Sequence, residues 1–99
     1  RGIAPLLYQT LRDSADAIRD GERDFARLER DAVQRLNESG FRADYVAVRD
    51  AATLAAARAE TQRMVVLGAA WLGKARLIDN VLLDLAGDDR TIRVSRSHA

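Results

Sequence analysis

Leu36-Asn37-Glu38-Ser39-Gly40-Phe41-Arg42-Ala43-Asp44-Tyr45-Val46-Ala47-Val48-Arg49 carries a change of period. Before it, apolar residues recur every three or four positions, the spacing of one face of a helix. Asn37-Glu38-Ser39-Gly40 ends that pattern, and Gly40 suits the left-handed residue that follows a helix cap. After it, Tyr45-Val46-Ala47-Val48-Arg49 is short and β-branched, the signature of a strand. One glycine therefore divides a helical half from a sheet half.

Working upstream, residues 3 to 19 read as an amphipathic helix with Ile3, Leu7, Leu11, Ala15 and Ile18 on one face and Arg12, Asp13, Asp16 and Arg19 on the other. Pro5 falls in the first turn, where its missing N–H has no helical partner to lose. Gly21 breaks the helix. A second helix is predicted from Glu22 to Glu38, with Phe25, Leu28, Ala32, Val33 and Leu36 as its apolar stripe and Glu22 and Asp24 in its first turn. Leu28 is read as a core residue, so its replacement by Ala is expected to cost on the order of 2–5 kcal/mol.

Downstream, Asp50 can cap a short turn through Thr53 and Leu54, and residues 55 to 61 read as a helix-permissive surface connection. Arg63 to Trp71 is a continuous apolar run, as expected of a central strand covered on both faces. Gly73-Lys74 is a tight turn, and Arg76 to Leu83 returns as a third strand. From Gly87 the hydrophobic density falls, which predicts a polar, flexible tail over residues 87–99 behind a domain at 1–86. Helices followed by strands make the fold class α+β: a two-layer sandwich, with a small three-stranded antiparallel sheet and two long helices on one face.

Composition narrows the function classes. The 99 residues, 47% hydrophobic and 31% charged, suffice for one globular domain and not for two. No cysteine means no disulfide and no thiolate site, and a single histidine, His98, rules out a zinc cluster built from several. A net charge of +1 creates no field for nucleic acid. Fifteen of the sixteen basic residues are Arg, but residues 1 to 40 interleave seven basic with eight acidic groups, the layout of solvated helix faces with ion pairs such as Asp31/Arg35. The longest apolar run, Met64 to Leu72, is about half a membrane span, and no export leader opens the chain, so a cytoplasmic location is expected. The first residue is Arg and the only methionine is Met64, which reads as a piece of a longer polypeptide.

Gly68-Ala69-Ala70-Trp71-Leu72-Gly73-Lys74-Ala75 matches the spacing of a phosphate-binding loop. Its chemistry does not follow. Ala75 stands where a Ser or Thr would bind magnesium, the interior holds bulky Trp71 and Leu72, and a strand rather than a helix follows. A strand running into a hairpin explains the stretch better. Asp79 and Asp84 lie five apart on a strand and should face opposite ways, while Asp88 and Asp89 fall in the tail with Arg90, Arg93 and Arg96. His98 has no nucleophile or carboxylate placed for a triad. Tyr8, Tyr45 and Trp71 read as packing residues.

Gly40 to Asp50 and Ala69 to Asn80, the latter with Gly73-Lys74-Ala75-Arg76-Leu77-Ile78-Asp79-Asn80, resemble the C-terminal domain of the pantothenate synthetase (pantoate–β-alanine ligase) family. The resemblance spans about residues 3 to 86. It implies a two-domain enzyme whose N-terminal nucleotide-binding domain activates pantoate with ATP and magnesium as pantoyl adenylate, from which β-alanine displaces AMP. The family's catalytic and nucleotide-binding residues lie in an H-x-G-H motif and a K-M-S-K-S-like loop, and neither is present here. By that correspondence no catalytic, cofactor-binding or metal residue is assigned in this chain: ATP and magnesium belong to the parent, and the expected partner is the N-terminal domain, with neither nucleic acid nor membrane. The resemblance further implies a lid role for this domain and a parent dimer formed mainly through the N-terminal one. Separated from it, the domain is expected to associate weakly with itself, through the sheet edge or the helix face near the N-terminus. The alternative is a stand-alone α+β binding or interaction module, and an H-x-G-H segment one domain upstream of Arg1 would decide against it.

Overall fold

Two helices open the chain: α1, Pro5–Arg19, and α2, Phe25–Glu38. They are followed by β1, Arg42–Asp50, β2, Arg63–Leu72, and β3, Ala75–Asp84. The computed structural model describes residues 5–86 and the backbone of one further strand, β4, Ile92–Ser95. The strands form an antiparallel meander in the order β1-β2-β3-β4, and both helices pack on one face of it, α1 across β2 and β3 and α2 along β1. The two-layer α+β sandwich is thus the architecture of the protein. Its sheet has one strand more than expected: Ile92–Ser95 pairs with Asn80–Leu83 along the free edge of β3. That segment was read as tail because it lacks hydrophobic density, but an open sheet edge offers unpaired backbone groups that a short alternating segment can satisfy. Asp88, Asp89, Arg90, Arg96 and His98 lie outside the described residues.

On α1 the predicted face is the buried one: Leu7, Leu11, Ala15 and Ile18 are all in the core. Thr10 and Ser14, also buried, return their hydroxyls to Leu6 O and Thr10 O, so their burial leaves no hydroxyl unpaired. The start of α2 is later than predicted. Asp24 serves as its N-cap, with its carboxylate accepting from Arg27 N at 3.2 Å, and the preceding Glu22 accepts from Arg23 N and Asp24 N. At the other end Gly40 has φ +103°, and Phe41 N donates to Leu36 O at 3.1 Å. This is the six-to-one closure of a helix stop, with Phe41 and Leu36 both in the core, and it delivers the chain directly into β1. On α2 only Ala32 and Leu36 are fully buried. Leu28 is half-buried, so the cost expected for its truncation belongs to Leu36 instead. The expected Asp31/Arg35 pair is absent: Arg35 reaches across to Asp13 on α1 at 2.7 Å, and Asp31 lies 3.7 Å from Arg27.

The helix-side face of the sheet carries Val46, Val48, Met64, Val66, Ala70, Val81 and Leu83, all in one core cluster with α1 and α2. Gly68 sits at the crossing of α1. A Cβ there would come within 2.8 Å of Leu11 Cδ2, so its lack of a side chain lets the helix lie close.

Candidate functional site

The stretch with the spacing of a phosphate loop is the end of β2 and a hairpin. Gly68 pairs with Val46 on one side and Asp79 on the other, deep within the sheet, so it cannot wrap its amide around an anion. Leu72 pairs with Ala75, leaving a two-residue loop, Gly73-Lys74, in which Gly73 has φ +63°. That pattern is a type II′ turn, whose first central position favours glycine. Among the described residues no group of three or more His, Asp or Glu converges as a metal site. The phosphate-loop spacing thus forms no cradle for an anion in this fold.

Among the hollows of the described surface, two bring charged and hydroxyl groups together. A groove of about 160 Å³ between the helices is lined by Thr10, Asp13, Ser14, Leu28 and Arg35. Its polar groups already serve one another: both hydroxyls bond backbone carbonyls, and Arg35 holds Asp13. The β1–β2 loop forms a wider hollow around Asp50, Thr53 and Arg58, where the Asp50 carboxylate is occupied by Ala52 N and Thr53 N. The expected cap is thus present, and it makes a turn closed by Leu54 N to Asp50 O. No helix forms over 55–61. Ala55 and Ala57 instead bond Asp50 and Val48 along the outer edge of β1.

The distinctive surface is the sheet face turned away from the helices. The strand registers set its side chains in rows: Arg42, Trp71 and Arg76; then Tyr45, Ala69 and Ile78; then Ala47, Leu67 and Asn80; then Arg49, Val65 and Leu82. Ala69 is wholly buried between Tyr45 and Ile78, which are 41% and 55% exposed. Two of the three large exposed apolar side chains of the described residues thus flank one alanine. The register slips between Ala43 and Tyr45, and this bulge gives Asp44 the extra residue from which it spans β2 to Arg76, with Nη2 and Nε donating to Oδ2 at 2.7 and 3.1 Å. The Arg42 guanidinium lies 5.4 Å from the Trp71 ring centroid, within cation–π range.

Tyr45 and Trp71, read as packing residues, therefore stand on a face that no described helix or strand covers. Asp79 and Asp84 do point to opposite faces, Asp79 beside Gly68 on the helix side and Asp84 opposite Arg63 on this one. The continuous apolar run of β2 was read as covered on both faces. Among the described elements the helices cover one, while on the other Val65 and Ala69 are also buried and Leu67 and Trp71 are half-buried. Among the described residues the face joins aromatic and aliphatic side chains with a margin of arginines.

Residues 1–82 match the family model described as pantoate-beta-alanine ligase. The chain belongs to the pantoate–β-alanine ligase family. It is 50% identical over 82 residues to a pantothenate synthetase from Methylococcus capsulatus, a match that covers 83% of this chain and 29% of that protein. This family member thus spans less than a third of that relative's length. The match to the family ends within β3, before the segment that adds β4. No helix of the described residues is long and apolar enough to cross a membrane.

Proposed function

We propose that this chain is the C-terminal lid domain of a parent pantoate–β-alanine ligase. In that enzyme the pantoate carboxylate attacks the α-phosphorus of magnesium-bound ATP and releases pyrophosphate. The β-alanine amine then attacks the acyl carbon of the adenylate, and AMP leaves with the product pantothenate. The cytoplasm is the proposed site of this chemistry, and the N-terminal nucleotide-binding domain is the proposed partner. The observation that carries the reading is the family match over residues 1–82 in a domain whose only phosphate-loop spacing is spent on a strand and a hairpin. Such a domain contributes cover rather than reacting groups.

An acyl adenylate is a mixed anhydride that water destroys, so the site that makes it must exclude water until the amine arrives. A rigid two-layer domain closing over the intermediate does this, and closure of this kind often limits turnover. The test is the ratio of pyrophosphate to pantothenate formed by the parent, intact and truncated before Arg1. Truncation is expected to raise the ratio well above one, because adenylate is made and then lost. A ratio that stays near one, in a truncated enzyme that still folds, refutes the lid role. By itself the 99-residue chain is expected to give no heat of binding with Mg·ATP.

A further inference from the structure

We propose that the open face of the sheet, centred on Tyr45, Ala69 and Ile78 with Trp71 and Leu67 beside them, is the surface by which this domain docks on the remainder of its parent polypeptide, against an apolar patch with acidic groups at its margin. The inference rests on the reading of the chain as part of a longer ligase, and it specifies which of the two layers meets the rest.

Three observations lead to it. The first is a mismatch between β2 and its surroundings. A run of apolar residues without polar alternation belongs to strands buried on both faces, and β2 has such a run, yet the helices cover only one side. On the far side Ala47, Val65 and Ala69 are buried, while Tyr45 and Ile78 stand open. A large apolar patch of this kind marks an interaction site, and an aromatic and a branched aliphatic flanking a buried alanine form two ridges and a trough for a knob from a partner.

The second observation is what lies around the patch. Its margin carries Arg42, Arg49, Arg63 and Arg76 against Asp44 and Asp84. Both acids are turned toward arginines, Asp44 to Arg76 and Asp84 to Arg63, while Arg42 lies over Trp71 and Arg49 donates to Leu54 O. The excess is positive, which favours an acid-bordered partner and disfavours a second copy of the same basic border. The third is length. In the Methylococcus relative 71% of the protein lies outside the match, 100% less the 29% covered, so in a chain of that size the missing cover has a source within the same polypeptide. The helix layer, by contrast, presents interleaved charges and the Asp13–Arg35 bridge, with no comparable apolar field.

The chain has no cysteine, so single thiols can be placed and followed. Ile78→Cys on the open face and Arg30→Cys on the exposed side of α2 are made both in the isolated chain and in the intact parent. Each is labelled with a maleimide at sub-micromolar concentration, and the modified site is read by peptide mass. Labelling requires an accessible thiolate, and we expect position 78 to react about tenfold or more slowly in the parent than in the isolated chain, with position 30 unchanged. Tyr45→Cys should repeat the result if Ile78→Cys perturbs the fold. Equal rates at 78 in both contexts overturn the proposal, as does protection at 30 without protection at 78, which would make the helix layer the docking side. Protection at 78 already in the isolated chain would show the face covered by a second copy or by the chain itself, and that too overturns it. The lid reading is judged separately. A covered position 78 with an unchanged pyrophosphate ratio keeps the docking face and removes the lid, and the converse result does the opposite.

Discussion

Gly68 shows how one residue can look catalytic in the sequence and be structural in the fold. It opens the phosphate-loop spacing, but its role is to lack a side chain under Leu11, which is wholly buried. Replacing it with Val adds three carbons at a point where even a Cβ is too close. Gly68→Val should lower stability by about 1–3 kcal/mol, the usual cost of overpacking, read as a fall in the urea midpoint with an unchanged slope. An unaltered midpoint would show that α1 does not seat on β2 at this point. The Gly-Lys spacing could not disclose this, because the partner that decides the matter is 57 positions away in the sequence. Arg35 illustrates the same limit. Its local neighbour Asp31 is at the right helical spacing, yet the closer carboxylate is Asp13 on the other helix. Local charge spacing names candidates, and only the packing of two helices chooses among them.

At the scale of elements, the outer edge of β1 is closed by side chains and by the following loop. Glu29 Oε2 on α2 accepts from Val48 N at 2.8 Å, Asn37 Oδ1 accepts from Ala43 N at 2.9 Å, and Ala55 O accepts from Asp50 N. On the opposite side β4 pairs with Asn80–Leu83 only, so the β1 edge is the one closed in this way. This argues against the β1 edge as a route of self-association. Glu29→Ala should leave the Val48 amide without its acceptor, costing about 1 kcal/mol and speeding hydrogen exchange at that amide. Glu29→Gln, which keeps a carbonyl oxygen, should stay within a few tenths of the parent. If both variants behave alike, the contact contributes nothing to the edge. The helices, the strands and the hairpin were legible because each follows from local periodicity and from Gly40 and Gly73. The fourth strand was not, since Ile92–Ser95 is only four residues long and stands among polar ones, so its pairing is decided by the neighbouring edge. The open face was half legible. The unbroken apolar run of β2 announced a need for two covers, while nothing local said that the described helices supply only one.

For the whole molecule, that unmet need makes the isolated domain prone to a substitute contact, and its charge pattern sets the strength of that contact. Two copies meeting by their open faces would bury Tyr45 and Ile78 favourably but would bring two arginine-rich borders together. The apolar gain acts at contact, whereas the repulsion acts through solvent and is screened over about 10 Å at 0.1 M salt and about 3 Å at 1 M. Self-association should therefore be weak, with a dissociation constant on the order of 0.1–1 mM, equivalent to about 4–5.5 kcal/mol, and it should tighten as sodium chloride is added. Docking on an acid-bordered partner should respond in the opposite sense, because there salt screens an attraction. Sedimentation equilibrium of the isolated chain at low and high salt reads this directly, and Ile78→Glu should leave a monomer at both, with its melting temperature retained because the side chain it replaces is exposed. Association that weakens with salt, or that survives Ile78→Glu, would place the contact on the mixed-charge helix layer instead of the sheet.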